Sequence, residues 1–345
     1  MKVYYNAPEQ GYAPQTSFFQ GRFTPCPEVP ARTRSILAAL GAHAEFELAA
    51  PPPLEAAHLA GVHDAGYIET LRALCGRLKP DEAFYPFNAQ PLPLLLRSPY
   101  ARVRMGYYAL DTSTPLLPQS YDMALSAAAV AAAGAEAMLA GAPLAYCLLR
   151  PPGHHAGRRS YGGYCILNNA ALAAQRLAGA GRVAILDVDY HHGNGTQDIF
   201  YESDAVLYVS LHCRPEEAYP YIAGAEEESG TGRGAGYNLN LPLPGGTDWA
   251  AYAPALERAL ERIARARPAL LVLSAGFDTL ADDPIGSFAL RVPDFEPMGR
   301  MIAALGLPTL VVQEGGYHVP SLGPAVLALF TGLGLLPAGG ARLHA

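Results

Sequence analysis

The 345-residue chain is half apolar, enough to bury a large core, and its formal charge of −7 with no long basic run excludes the electrostatic footprint of a nucleic-acid binder. Glycine and proline are frequent but spread along the whole chain, as in a loop-rich enzyme and unlike a fibrous or disordered protein. The cysteines (Cys26, Cys75, Cys147, Cys165 and Cys213) are odd in number and lack C-x-x-C spacing, which argues against a disulfide framework or a cysteine-rich zinc site.

In chain order, the first predicted helix covers residues 30–40, and a proline-rich stretch at 51–53 joins it to a second over 63–78. Residues 81–104, with Pro86, Pro91, Pro93 and Pro99, read as a long irregular surface loop, and loops of that length often carry function. A third helix is predicted over 121–140, with Ser120 as its N-cap. Its apolar stretch, 123–135, is shorter than the roughly 20 residues that span a bilayer. The opening MKVYYNAPEQ lacks the apolar core of a signal peptide, so a cytoplasmic protein without membrane contact is expected.

The second half changes rhythm. Short apolar runs at 144–149, 183–186, 206–209, 270–273 and 309–312 alternate with helical stretches such as 169–178 and 249–266. Unbroken apolar runs between helices predict buried parallel strands in an α/β fold, with a mixed α+β arrangement as the alternative the pattern leaves open. Each run feeds a polar motif: Arg-Pro-Pro-Gly-His-His (150–155), Asp-Val-Asp-Tyr-His-His-Gly-Asn-Gly (187–195), Ser-Leu-His (210–212), Ser-Ala-Gly-Phe-Asp (274–278) and Gln-Glu-Gly-Gly-Tyr-His (313–318). Parallel sheets bind ligands beyond the carboxyl ends of their strands, so five such ends delivering these residues to one edge predict an active-site rim.

Asp187, Asp189 and His191 alternate, and a strand continuing through them would turn all three to one face. Two carboxylates and an imidazole so close repel or lose hydration unless a cation joins them. Asp278 completes a set of two oxygens and one nitrogen, the open three-ligand arrangement of catalytic zinc, and the oxygen-rich set also admits iron or manganese. The competing reading makes Asp187 and Asp189 caps of the following helix and His191 a packed loop histidine. His154 and His155 are adjacent, and imidazoles beside a cation have lowered pKa values suited to a general base; a plain turn pair is the alternative. Tyr317, on a glycine turn, can donate to a developing oxyanion, or can be a buried tyrosine of a strand-to-helix turn. Together these groups describe metal-assisted hydrolysis of an amide or ester.

The motifs R-P-P-G-H-H-A, G-G-Y-C-I-L-N-N, D-V-D-Y-H-H-G-N-G-T-Q, S-L-H and E-G-G-Y resemble, in the same order, those of the histone deacetylase superfamily, nearest its bacterial acetylpolyamine amidohydrolases and histone deacetylase-like amidohydrolases. The likeness runs from Val3 to about Gly334. It implies a single arginase-like α/β domain over residues 1–345, with an eight-stranded parallel sheet and helices on both faces. It also implies Zn2+ (or Fe2+) on Asp189, His191 and Asp278, and a structural K+ at Asp187 and Ser210. His155 would be general base and later acid, His154 its electrostatic partner, and Asn194 the neutral group behind His155. Tyr317 would bind the acetyl carbonyl. Tyr164 and Tyr219 would wall the tunnel, with Gly162 and Gly163 letting backbone approach substrate. Arg32 would line an internal channel, and Asp111 would be a rim aspartate. The 81–104 segment resembles a dimer-forming loop, implying a homodimer in which it narrows the partner's mouth.

One departure bears on substrate. Polyamine-specific relatives carry an acidic residue at the mouth, from the loop before the Gly-Tyr-Tyr segment. Here residues 83–110 hold no acid and instead carry Arg97, Arg102 and Arg104. If that loop forms the mouth, arginines repel a cationic acetylpolyamine. Glu216, Glu217 and Glu226, Glu227 and Glu228 could supply acid from another loop, although a solvated face is the plainer reading. The expected activity is deacetylation of acetyl-lysine or a small acetylated amine, with an acetylpolyamine-specific enzyme as the alternative. An arginase-like ureohydrolase would need more aspartates, and a non-catalytic binding protein would be expected to have lost His154, His155 or Tyr317, all of which are present.

Overall fold

A computed structural model describes residues 1–7, 11–19, 21–54 and 56–337. Its strands are β1 (Lys2–Tyr5), β2 (Thr16–Phe19), β3 (Arg22–Pro25), β4 (Glu47–Ala49), β5 (Leu144–Leu148), β6 (Val183–Asp187), β7 (Val206–Cys213), β8 (Asn238–Leu243), β9 (Leu270–Ala275) and β10 (Thr309–Gln313). Its α-helices are α1 (Ala31–Leu40), α2 (Ala65–Cys75), α3 (Ala101–Tyr108), α4 (Ser120–Leu139), α5 (Asn169–Leu177), α6 (Asn194–Phe200), α7 (Trp249–Ala266), α8 (Phe295–Ala303) and α9 (Val319–Gly332). Eight strands form one sheet in the order β4-β1-β5-β10-β9-β6-β7-β8, every pair parallel, and β2 with β3 forms a separate antiparallel hairpin.

The unbroken apolar runs follow from burial on both faces. Ile185 of β6 joins the core built with α2, α4 and α5, whereas Ala184 and Leu186 join the core built with α1, α7, α8 and α9. Side chains alternate across a strand, so a strand covered twice has no polar face to show. By length and composition α4 could cross a membrane. Here Met123, Ala127, Val130 and Met138 are buried in the first core.

The predicted helices and strands appear within a few residues of their expected bounds. Ser120 is the first helical residue and not a cap; its hydroxyl accepts the Leu117 N–H. β1, β4 and β8 have no apolar run long enough to mark them. Residues 81–104 are more ordered than a free loop. Phe84 pairs with Leu116, a 3-10 turn spans Pro93–Arg97, and α3 begins at Ala101, inside the segment.

Candidate metal centre and active site

The sheet order sets β5, β10, β9, β6 and β7 side by side, so the five polar motifs meet at one edge. Asp189, His191 and Asp278 converge there, their ligand atoms within 4.8 Å of one another. Strand alternation is not the cause, because β6 ends at Asp187. Instead each carboxylate is fixed by backbone N–H groups. Asp189 accepts from His191 N at 2.9 Å and Gly315 N at 2.8 Å, and Asp278 accepts from Tyr190 N at 2.9 Å. Capping of α6 is also not their role, since its cap residue Gly193 is followed by no side-chain cap bond. Gly315 must be glycine: a Cβ there would stand 2.5 Å from Asp278 Oδ2 and 2.6 Å from Asp189 Oδ2.

His191 Nδ1 lies 2.9 Å from Asp278 and 3.4 Å from Asp189. Both aspartates are fully buried. Burial and the Asp189 charge push the Asp278 carboxyl up to about 7. Burial opposes the Asp189 charge too, but His154 and His191 hold that carboxyl low. Such a carboxylate pair is the costly arrangement that a divalent cation offsets, and the mixed oxygen and nitrogen donors suit zinc or ferrous iron.

The tandem histidines divide. His154 Nδ1 is 3.1 Å from Asp187 Oδ2, which also accepts the Tyr208 hydroxyl at 3.0 Å. Burial works against the charged form of His154, but Asp189 and Asp187 outweigh it and hold its pKa well above the usual histidine range. His155, with Nδ1 2.8 Å from Asn194 Oδ1, is held well below that range by burial, His154 and His191. Burial and the neighbouring charges thus set the two imidazoles on opposite sides of the usual range. With Nδ1–H donated to Asn194, the other ring nitrogen of His155 is free to take a proton.

A cavity of about 490 Å³ opens on these groups, with His154, His155, Asp189, His191 and Tyr317 at its lining. Tyr164 and Tyr219 wall it, the Tyr219 ring edge-on to His155 at 4.8 Å. Gly163, at φ +54, brings the wall close; a Cβ would stand 2.2 Å from the His155 ring. Burial keeps the Tyr317 phenol protonated, its pKa well above 10.0. Arg32 lies against the Tyr317 ring at 4.6 Å and donates to Gly316 O and Glu314 O, both at 2.6 Å.

Asp111 does not stand free at the rim. Its carboxylate accepts the Gly163 N–H at 2.7 Å and the Tyr219 hydroxyl at 2.8 Å, so it holds the tunnel wall. Ser210 lies opposite Asp187 across the β6–β7 pair, 2.8 Å from His212 Nδ1. Because His212 Nε2 reaches Gly224 O at 3.0 Å and must donate there, Nδ1 is an acceptor, and the Ser210 hydroxyl donates to it. In that bond the Ser210 oxygen is donor and not acceptor.

None of Arg97, Arg102 and Arg104 lines the cavity; Arg102 pairs with Glu82, and Arg104 donates to Ser98 O at 3.0 Å. The acid at the mouth is Glu217, held by the Gly245 N–H at 2.8 Å. Among the described residues, no lysine or arginine lines the cavity, and Glu217 is its one carboxylate besides Asp189. Glu226 and Glu227 are exposed, whereas Glu228 accepts from Gly224 N and Gln197 Nε2 and latches its own loop. Sequence reasoning also missed Glu314, which is fully buried and accepts the Gly153 N–H at 2.7 Å and the His154 N–H at 3.1 Å. Its place in the E-G-G-Y motif was the available signal.

Residues 26–333 match the family described as histone deacetylase domain. The chain is 42% identical over 322 residues to acetylpolyamine amidohydrolase 1 of Pseudomonas aeruginosa, an overlap of 90% of this chain and 92% of that protein. It is likewise 42% identical over 339 residues to the acetylpolyamine amidohydrolase of Mycoplana ramosa, covering 96% of this chain and 99% of that one. The crystal structure of an acetylpolyamine aminohydrolase from Burkholderia pseudomallei superposes with a TM-score of 0.91 at 40% identity, over 97% of this chain and 99% of that chain.

Proposed function

The chain belongs to the histone deacetylase family, and from that premise we propose that it is a zinc-dependent amidohydrolase that removes the acetyl group from small acetylated amines, acetylpolyamines above all. The observation that carries the reaction is the convergence of Asp189, His191 and Asp278 beside a neutral His155 and a protonated Tyr317 on one cavity. Zinc bound by that triad would polarise the acetyl carbonyl and acidify a water. His155, oriented by Asn194, takes the proton from the attacking water and returns it to the leaving amine. His154, kept cationic by Asp187 and Asp189, adds positive charge where oxyanion charge develops. Tyr317 donates a hydrogen bond to that oxygen. Tyr164 and Tyr219 hold the alkyl chain extended and exclude water. A potassium ion at Asp187 and Ser210 would steady the turn that carries the triad.

The polyamine reading rests on Glu217, which lines the cavity although Arg214 Nη1 stands 3.9 Å from its carboxylate, and on the names of the relatives. The arginines of the 81–104 segment, which argued against a cationic substrate, do not line the cavity of their own chain. That segment instead exposes Phe87, Leu92, Leu94 and Tyr100, apolar side chains that suit burial against a second copy in a homodimer.

The test is a hydrolysis panel with zinc-loaded full chain: acetylputrescine, acetylspermidine, an acetyl-lysine peptide and an uncharged N-alkylacetamide. We expect the acetylpolyamines to have the highest kcat/KM. A higher value for the uncharged acetamide would overturn the substrate, and no hydrolysis of any member would overturn the reaction.

A further inference from the structure

Tyr317 is held by both ends of one peptide group. The carbonyl of Gly316 accepts from Arg32 Nε at 2.6 Å, and the N–H of Tyr317 donates to Asp283 Oδ2 at 2.6 Å. The same Asp283 oxygen accepts the His318 N–H at 3.2 Å, at the start of α9. Its other oxygen accepts the Ile285 N–H at 3.1 Å. Asp283 is buried and belongs to the segment that runs on from Asp278, while Pro284 and Ile285 directly after it line the same cavity as Tyr317. One carboxylate thus ties the phenol-bearing turn to the substrate-facing wall, across 34 residues of chain.

A glycine-rich turn does not orient the side chain that follows it. Gly315 and Gly316 leave the turn many conformations, and the phenol must sit within a few tenths of an ångström of its productive place to serve a developing oxyanion. The Arg32 stack fixes the ring plane and the Asp283 bond fixes the backbone from which the ring projects. Because Asp283 also holds Ile285, a side chain pressed against that wall shares its anchor with Tyr317.

We propose that Asp283 is a positioning residue for Tyr317, setting the phenol at the metal centre and coupling its placement to contact of the substrate with the Pro284–Ile285 wall. The proposal rests on the reading of Tyr317 as oxyanion donor.

The test is a double-mutant cycle in zinc-loaded full chain, with Asp283→Asn, Tyr317→Phe and the pair assayed on acetylputrescine. An asparagine offers one acceptor oxygen, so at least one of the three N–H bonds is lost. We expect Asp283→Asn to lower kcat about tenfold or more with KM changed less than about threefold, zinc content unchanged, and no further loss in the Tyr317→Phe background. Affinity for a trifluoromethyl ketone analogue, whose hydrate imitates the tetrahedral intermediate, should fall by the same factor as kcat. An equal loss from Asp283→Asn in both backgrounds would overturn the proposal. Full turnover by Tyr317→Phe would instead overturn the reading of Tyr317, and the proposal with it. Should Asp283→Asn not fold, Asp283→Ser, which keeps one acceptor oxygen, goes through the same cycle.

Discussion

Asn194 Oδ1 lies 2.8 Å from His155 Nδ1, so the base-competent histidine is oriented by a neutral amide while its neighbour His154 leans on the Asp187 carboxylate. The two ring centroids stand 4.1 Å apart, yet burial, His154 and His191 keep His155 neutral while Asp189 and Asp187 keep His154 charged.

The first prediction concerns that amide. Asn194→Asp places a negative charge on Nδ1 and raises the His155 pKa, so the basic form is lost at higher pH. The acid limb of kcat/KM should move up by about one pH unit. Asn194→Ala, which frees the ring, should lower kcat by about 10- to 100-fold. A pH–rate profile of the three proteins decides the matter, and an unmoved acid limb in Asn194→Asp would remove His155 from the role of base.

The second concerns the metal. Burial and Asp189 push Asp278 up to about 7, and zinc binds only the ionised carboxylate. His191 must lose its proton as well, and although burial lowers its pKa, its bonds with Asp189 and Asp278 raise it to about 9. Affinity should therefore fall about tenfold per pH unit below about pH 9 and more steeply below about pH 7. Equilibrium dialysis between pH 9.5 and 5.5 measures this. Metal removal by chelator should also lower Tm, because the cation binds the folded chain alone.

The third concerns the mouth. Glu217→Gln should raise KM for acetylputrescine about two- to fivefold, the scale of an exposed ion pair worth roughly 0.2–1 kcal/mol. KM for an uncharged acetamide should not move. Salt should weaken the wild-type preference and leave the variant indifferent.

The fourth concerns stability. Buried His63 Nδ1 donates to Gly157 O at 3.0 Å and its Nε2 accepts the Asn168 N–H at 2.9 Å, a neutral bridge behind the tandem histidines. Burial holds its pKa down at about 4, against 6.5 for a free histidine. As pH falls below 6.5 the unfolded chain takes a proton that the folded chain refuses, so stability is full above that pH and declines toward pH 4. For a shift of that size the loss is on the order of 3 kcal/mol. His63→Gln can keep both bonds without titrating, and urea unfolding at pH 7.5 and 5 should show a pH dependence shallower by about 2 kcal/mol, since pH 5 stops short of the folded-state pKa.

Much of this was legible in the chain itself. β5, β6, β7, β9 and β10 announce themselves because strands covered on both faces are apolar without interruption. The ligand triad, the tandem histidines and Tyr317 stand in motifs at those strand ends. β8 escaped notice because its buried positions include Asn238 and Asn240, which bond to Gln197 and so break the apolar run. β4 is three residues long at the sheet's edge, too short for a pattern.

What only the tertiary structure decided is which carboxylate answers which backbone N–H. Asp111 looked like a rim residue and proved to hold the Gly163 and Tyr219 wall, 52 and 108 residues away. Glu217 is exposed, as a solvated face requires, and also lines the mouth, while the arginines expected there turn elsewhere. Asp283 carried no signal at all. A motif records residue types that the chemistry demands at one strand end, and so the metal ligands, histidines and phenol can be read from it. A hydrogen bond between two loops depends on where the sheet order brings distant strand ends together, and that order is fixed by packing across the whole core rather than by any local run of residues.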